Sequence, residues 1–220
     1  ALPLAALGQA DSVKSAHDPP GQLFRYAPMP KATRSIIIPL SDIRFAFDTE
    51  NLRAHTVWRG KLDLYGPQHV NAKRPFIAQP NGKLLWGNPP AFPWRAEKPG
   101  AKSTLDDDHP IGKFIGMVTD GKSVTHRYEL QLASGDSVAV QLQPTNSAGD
   151  LWRTMTLSRC RTPLWFLANS FPDDSAKLAV TAHGPGVSVR AIGIPLSYIE
   201  TIVTEPGSET VYDTRTMDTV

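Results

Sequence analysis

The sequence predicts an all-β chain, an antiparallel β-sandwich with a long loop rich in proline and aromatics, and three observations predict it. Apolar residues recur with a period of two, which is the pattern of strands with one buried face. Short Gly- and Asp-containing stretches separate these runs at hairpin spacing. Twenty Pro and sixteen Gly among 220 residues punctuate the chain too often for long helices. At this length one large all-β domain can bury a sizeable core.

The elements follow in chain order. Ala1 to Ala10 are apolar and small and end in Gly8-Gln9-Ala10, which resembles the tail of a signal peptide with its small-residue cleavage rule. The expected location is therefore exported, periplasmic or extracellular. Residues 11–33 show no period and read as an extended arm, so 1–33 is assigned as signal-peptide remnant and arm. Folding is expected to begin near Arg34. Ile36-Ile37-Ile38 is a continuous β-branched run, the mark of a strand covered on both faces. Ile43, Phe45 and Phe47 then alternate with Arg44, Ala46 and Asp48. Asp48 to Asn51 reads as the turn of a hairpin, in preference to a capped helical turn, because Thr56-Val57-Trp58 resumes the strand pattern.

The middle of the chain, from Pro67 to Pro110, holds many prolines and several aromatics, with one short strand candidate at Lys83 to Trp86. It is expected to be a long ordered loop, the kind of element that carries ligand sites on a rigid scaffold. Beyond it Asp120-Gly121 separates Phe114 to Val118 from Val124 to Leu132, where Val124, His126, Tyr128, Leu130 and Leu132 share one face. Ser134-Gly135-Asp136 leads to Val138, Val140 and Leu142, and Gly184-Pro185-Gly186 leads from Leu178, Val180 and Ala182 to Val187 and Val189. Three hairpin joins without a crossover helix argue for a meander within a sandwich spanning 34–205, with 206–220 as a tail or the start of a linker.

Several function classes fall away. Net charge is +2 and no basic run exceeds a pair, so no nucleic-acid partner is expected. No apolar stretch reaches the roughly 18 residues of a membrane span. The single cysteine, Cys160, excludes a disulfide framework within the chain, a Cys-rich zinc site and a CxxCH haem attachment, so no cofactor is assigned to this chain. In its strand-like context Cys160 reads as a buried, inert thiol. Asp106-Asp107-Asp108-His109 is the densest run of potential metal ligands, but neighbouring loop side chains diverge, and a solvated acidic loop is the reading adopted over calcium.

The candidate binding residues are Trp86, Asn88, Phe92, Trp94 and Arg95. They place flat aromatic faces beside hydrogen-bonding groups, which is what a sugar ring requires, on a segment stiffened by prolines that lowers the entropy lost on binding. The same aromatics could instead plug the end of a sandwich or face a neighbouring domain. His69 and His109 join the set as loop histidines free to act, with His55 of the same kind. His126 reads as a hydrogen-bonded core histidine, and Trp58, Trp152 and Trp165 read as core. Arg53 and Arg59 are read as structural ion-pair partners of Asp48 or Asp63, in preference to contacts with a ligand carboxylate, which periodicity does not separate from them.

The order of motifs resembles a known family. Phe47-Asp48-Thr49-Glu50-Asn51-Leu52-Arg53 followed by Trp58-Arg59-Gly60-Lys61-Leu62-Asp63-Leu64, and later Gly112 to Lys122 followed by Val124 to Leu132, are similar to an accessory β-rich domain of unknown function. It occurs in exported planctomycete and verrucomicrobial haem-binding proteins of the c-type cytochrome and membrane-bound dehydrogenase-like kind. Phe114 and Met117 stand where the family has hairpin aromatics. The resemblance covers about residues 34 to 145 and implies a β-sandwich; fold analogy alone extends this expectation to a mutarotase-like super-sandwich. It also implies partners: haem c or dehydrogenase-like domains, of the same or a neighbouring chain, that would carry the redox chemistry. The expected function is a non-catalytic binding or docking module, for a glycan or for those domains. The alternative is a sugar-active enzyme of mutarotase or lyase type using a His and carboxylate pair.

Overall fold

The computed structural model describes residues 15–16, 22–65, 77–88, 92–96, 111–147, 150–158, 164–170, 176–183, 187–193, 196–203 and 210–218. Among these there are strands and turns and no helix. The chain forms β1 (Ser15–Ala16), β2 (Arg25–Tyr26), β3 (Ser35–Leu40), β4 (Ile43–Asp48), β5 (Arg53–Tyr65), β6 (Ile77–Gly87) and β7 (Trp94–Arg95). It continues with β8 (Ile111–Thr119), β9 (Val124–Gln131), β10 (Ser137–Ser147), β11 (Asp150–Leu157) and β12 (Leu164–Ser170). The last strands are β13 (Ala176–His183), β14 (Val187–Gly193), β15 (Leu196–Val203) and β16 (Thr210–Asp218).

Among the described residues all strand pairs are antiparallel and fall into three sheets. The first has the order β1-β5-β4-β3-β2 with β6 also paired to β5; the second runs β13-β16-β11-β10-β9-β8; the third runs β14-β15-β12-β7. The hairpin at Asp48 pairs that residue with Arg53. Asp120-Gly121 joins β8 to β9, and Ser134 to Asp136 joins β9 to β10.

The alternation read from the sequence is the alternation of burial. Val124, His126, Tyr128 and Leu130 of β9 and Val138, Val140 and Leu142 of β10 face one core with Ile36, Ile38, Phe45 and Phe47 of the first sheet. The first and second sheets therefore share one apolar layer, to which Trp94, Leu164 and Phe166 of the third also contribute. Ile37 points the other way, into a second cluster with Ala27, Met29, Ala32, Ala46, Trp58, Leu62 and Ala78. This is why Ile36-Ile37-Ile38 is a continuous β-branched run: both faces of β3 are dry.

Three expectations differ from the fold. Packing begins before Arg34, because Ala27, Met29 and Ala32 are buried on the outer face of the first sheet. The backbone is held there by Ala78 N donating to Pro28 O and by Ala27 N donating to Ser35 O. The stretch from Pro67 to Pro110 is not one loop: β6 pairs with β5 along Thr56 to Tyr65, and β7 pairs with β12. The prolines hid a strand that tolerates Pro80 because β6 lies at the sheet edge. Finally, β13 and β14 are not a hairpin. The first pairs with β16 in the second sheet and the second with β15 in the third.

Candidate functional site

Two places bear on function: the closed end around the turn of β4 and β5, where the candidate binding residues gather, and the open edge at β8. At the closed end the turn is organised by Asp48. Its Oδ1 accepts from Glu50 N at 3.0 Å, and its Oδ2 accepts from Asn51 Nδ2 at 2.8 Å and from Arg53 Nε at 3.0 Å. Both ionic side chains are almost fully buried. The remaining Arg53 donors reach Asn88 O and Lys31 O. One guanidinium thus ties the hairpin, the segment after β6 and the N-terminal arm together. Burial lowers the Arg53 pKa, and the Asp48 charge and hydrogen bond oppose that shift. Leu52 completes the turn with φ of 51°, a left-handed conformation that costs a bulky residue roughly 1–3 kcal/mol. Its side chain is 1% exposed and, with the Phe92 ring, fills the space where a Cβ on Gly112 would have to go.

The candidate aromatics lie inside this end. Trp86 and Trp94 are fully buried, and Asn88, Phe92 and Arg95 nearly so. The Arg153 guanidinium sits 4.8 Å from the Trp86 ring centroid, a cation–π contact. Trp94 packs on Phe166 at 4.7 Å and on Tyr128 at 6.4 Å. Arg95 Nη1 donates to Phe92 O and Trp94 O, both at 2.8 Å, which folds the segment back on itself. The sequence anticipated ring faces offered to a sugar; the rings found here are covered by protein. Trp86 Nε1, Trp94 Nε1 and the side-chain amide of Asn88 make no hydrogen bond among the described residues.

His55 lies in β5. Its Nε2 meets Pro30 O at 2.8 Å and its Nδ1 meets Thr56 Oγ1 at 2.5 Å. Burial lowers its pKa, with the bond to Pro30 opposing, so the neutral ring acts as a second tie on the arm and is not a loop histidine free to act. His69 and His109, with Asp106 to Asp108 and Cys160, lie outside the described residues. Among the described residues no group of three potential metal ligands gathers.

His126 is a core residue, as its parity on β9 implies, but it is not hydrogen-bonded: neither ring nitrogen has a partner among the described residues. Its ring is stacked on Phe47 at 4.3 Å and lies 6.3 Å from both Phe45 and Phe114. Burial pushes its pKa down to about 3, so the imidazole is neutral and serves as an aromatic plate. Arg53 pairs with Asp48 as anticipated, whereas Arg59 pairs with Asp42. Trp58 and Trp165 are buried; Trp152 is half-buried.

The open edge was not anticipated. Among the described residues β8 ends the second sheet, and Ile111, Ile115 and Val118 are exposed by 74%, 57% and 45%. A bulge between Phe114 and Gly116 shifts the parity, so that Ile111 opposite Gln131 and Val118 opposite Thr125 both stand on the outer face. Lys113 and Arg127 are exposed on that same face.

No family model, curated protein or solved structure matches the chain.

Proposed function

We propose that the chain is a non-catalytic docking module of an exported bacterial protein, a β-sandwich whose layers are the two six-stranded sheets. It packs against an adjoining domain, of which the haem c and dehydrogenase-like domains implied by the sequence resemblance are the candidates. The open edge of β8 carries this reading. Among the described residues β8 is an edge strand of nine residues, and soluble proteins ordinarily protect such an edge. Here three large apolar side chains accompany it, which is the composition of an interface.

The glycan version of the binding reading is the weaker of the two, because Trp86 and Trp94 already spend their faces on Arg153, Phe166 and Tyr128. The enzymatic alternative draws no support from His55, whose nitrogens are engaged by Pro30 O and Thr56.

The test places a photo-crosslinking amino acid at Ile115 in the full-length protein produced in its own host. The expected result is a crosslink, mapped by mass spectrometry, to a second folded domain of the same or another chain. Crosslinks confined to residues of this domain would overturn the docking reading. A glycan array probed with the intact chain serves as the companion measurement, with no binding expected.

A further inference from the structure

Resting on the docking reading, we infer that β8 takes up an extended polypeptide segment as an added antiparallel or parallel strand, and that this segment places a carboxylate opposite Gly116.

The inward side of a strand added to β8 is set by the core that the first two sheets share. Phe47 of β4 meets His126 of β9 and Phe114 of β8, while Trp86 of β6 meets Arg153 of β11. A strand added to β8 lies about 4.8 Å beyond it, at the margin of this shared core. Leu23 and Phe24, which precede β2, and Phe114 and Met117 of β8 are half-buried and pack against that core. Inward positions of the added strand are therefore apolar.

The outward positions are set by charge. Register pairs Gly116 with Arg127 and Lys113 with Glu129. Glu129 Oε1 is engaged by Gln131 Nε2 at 3.1 Å and by Ser137 Oγ. Gly116 has no side chain, and a Cβ placed there would meet nothing within 4 Å. A residue of the added strand opposite Gly116 thus reaches the exposed Arg127 guanidinium across it, with Lys113 alongside. A carboxylate fits that place; a cation is repelled. Ile111 and Val118 flank it with apolar surface.

The same charges disfavour a second copy of this chain as the occupant. Two β8 strands related by a two-fold axis match their outer faces along the whole strand only when Ile111 opposes Val118 and Lys113 opposes Gly116. That register brings Lys113 of one copy against Arg127 of the other, twice over. Strand addition supplies affinity through backbone hydrogen bonds, and the side chains select the partner.

The probes are two synthetic eight-residue peptides of alternating Val and Thr, blocked at both ends, one with a central Asp and the other with Lys in its place. Each is titrated into the isotopically labelled 220-residue chain and followed by backbone amide shifts. The expected outcome is perturbation centred on residues 111–119 with at least fivefold tighter binding of the Asp peptide, and Arg127→Glu reverses the order. Equal affinities unchanged by Arg127→Glu would overturn the carboxylate assignment. No perturbation of β8 by either peptide would overturn strand addition, and if the Ile115 crosslink to a second domain persisted in that case, docking by side-chain packing would stand without it. A dimer in sedimentation that Val118→Lys dissociates would instead make a second copy the occupant and overturn the inference.

Discussion

The turn of β4 and β5 and the edge of β8 lie on one core but dispose of their polar and apolar groups in opposite ways. At the turn a carboxylate, a guanidinium and several carbonyls are buried and joined to one another. At the edge isoleucine and valine stand in solvent on the last strand of the second sheet among the described residues. Buried polarity is tolerable only when each group has its partner, so the turn is a place where substitution costs stability. Exposed apolar surface contributes little to the folded chain, so the edge is a place where substitution costs association. The difference teaches where fold and function separate in this molecule, and it can be attacked from either side.

The largest effect is expected from Asp48→Ala. It strands the Arg53 guanidinium in the interior and releases the turn amides, and should lower the unfolding free energy by about 3–5 kcal/mol, read as the urea midpoint. A loss under about 1 kcal/mol would mean that the pair behaves as a surface ion pair and that the turn is not the locked end described here.

Next in size is a pH effect at His126, which belongs to the core beneath β8. Its pKa is about 3 when folded and 6.5 in the reference state. The unfolded chain therefore binds more protons between these values, and stability is full above about pH 6.5 and declines as pH falls toward 3. At about 1.4 kcal/mol per pH unit, moving from pH 6.5 to 4.5 should cost about 2–3 kcal/mol. His55, whose pKa is also lowered by burial, acts in the same direction. In His126→Phe the plate against Phe47 is kept and the ionisation removed, so denaturation midpoints should fall less steeply with pH. Identical slopes for variant and parent would exclude His126 as the source.

Much of this organisation was legible in the sequence, and the parts that were not share a cause. Alternation over Val124 to Leu132, the two-sided run Ile36-Ile37-Ile38 and the Asp120-Gly121 turn are local, and all three appear as read. The same logic extends to Arg153, which shares inward parity with Leu151, Met155 and Leu157; a charged residue on an apolar face is a signal of burial that could have been used. Turn chemistry is identical whether the next strand returns beside its predecessor or crosses to another sheet, so the separation of β13 from β14 was not visible. Trp86 and Trp94 lie where prolines break the period, and no alternation remained to assign them inward. Exposure at β8 depends on which strand is last in its sheet, a property of topology that no window of sequence contains.

A smaller loss is expected where the two regions touch. Gly112 of β8 packs so closely on Leu52 and Phe92 that an added Cβ has no room, and Gly112→Ala should cost about 1–3 kcal/mol by overpacking. Three residues on, Ile115→Ser should change the unfolding free energy by less than about 0.5 kcal/mol. Chemical denaturation of the two variants side by side measures the contrast within a single strand. Equal losses would show that β8 is one environment and that its edge is not free.

The smallest effect on stability should accompany the largest effect on association. Val118→Lys puts a charge on a side chain that is already 45% exposed and sits opposite Thr125, so folding should shift by no more than about 0.5 kcal/mol. The added ammonium lies on the outer face near Arg127 and Lys113, where it increases like charge and removes apolar contact. In the full-length protein it should reduce the crosslink from Ile115 to the second domain at least tenfold while leaving the urea midpoint in place. If the crosslink survived unchanged, the apolar side chains of β8 would not be what the partner recognises, and the comparison would narrow to a locked turn facing a merely solvated edge.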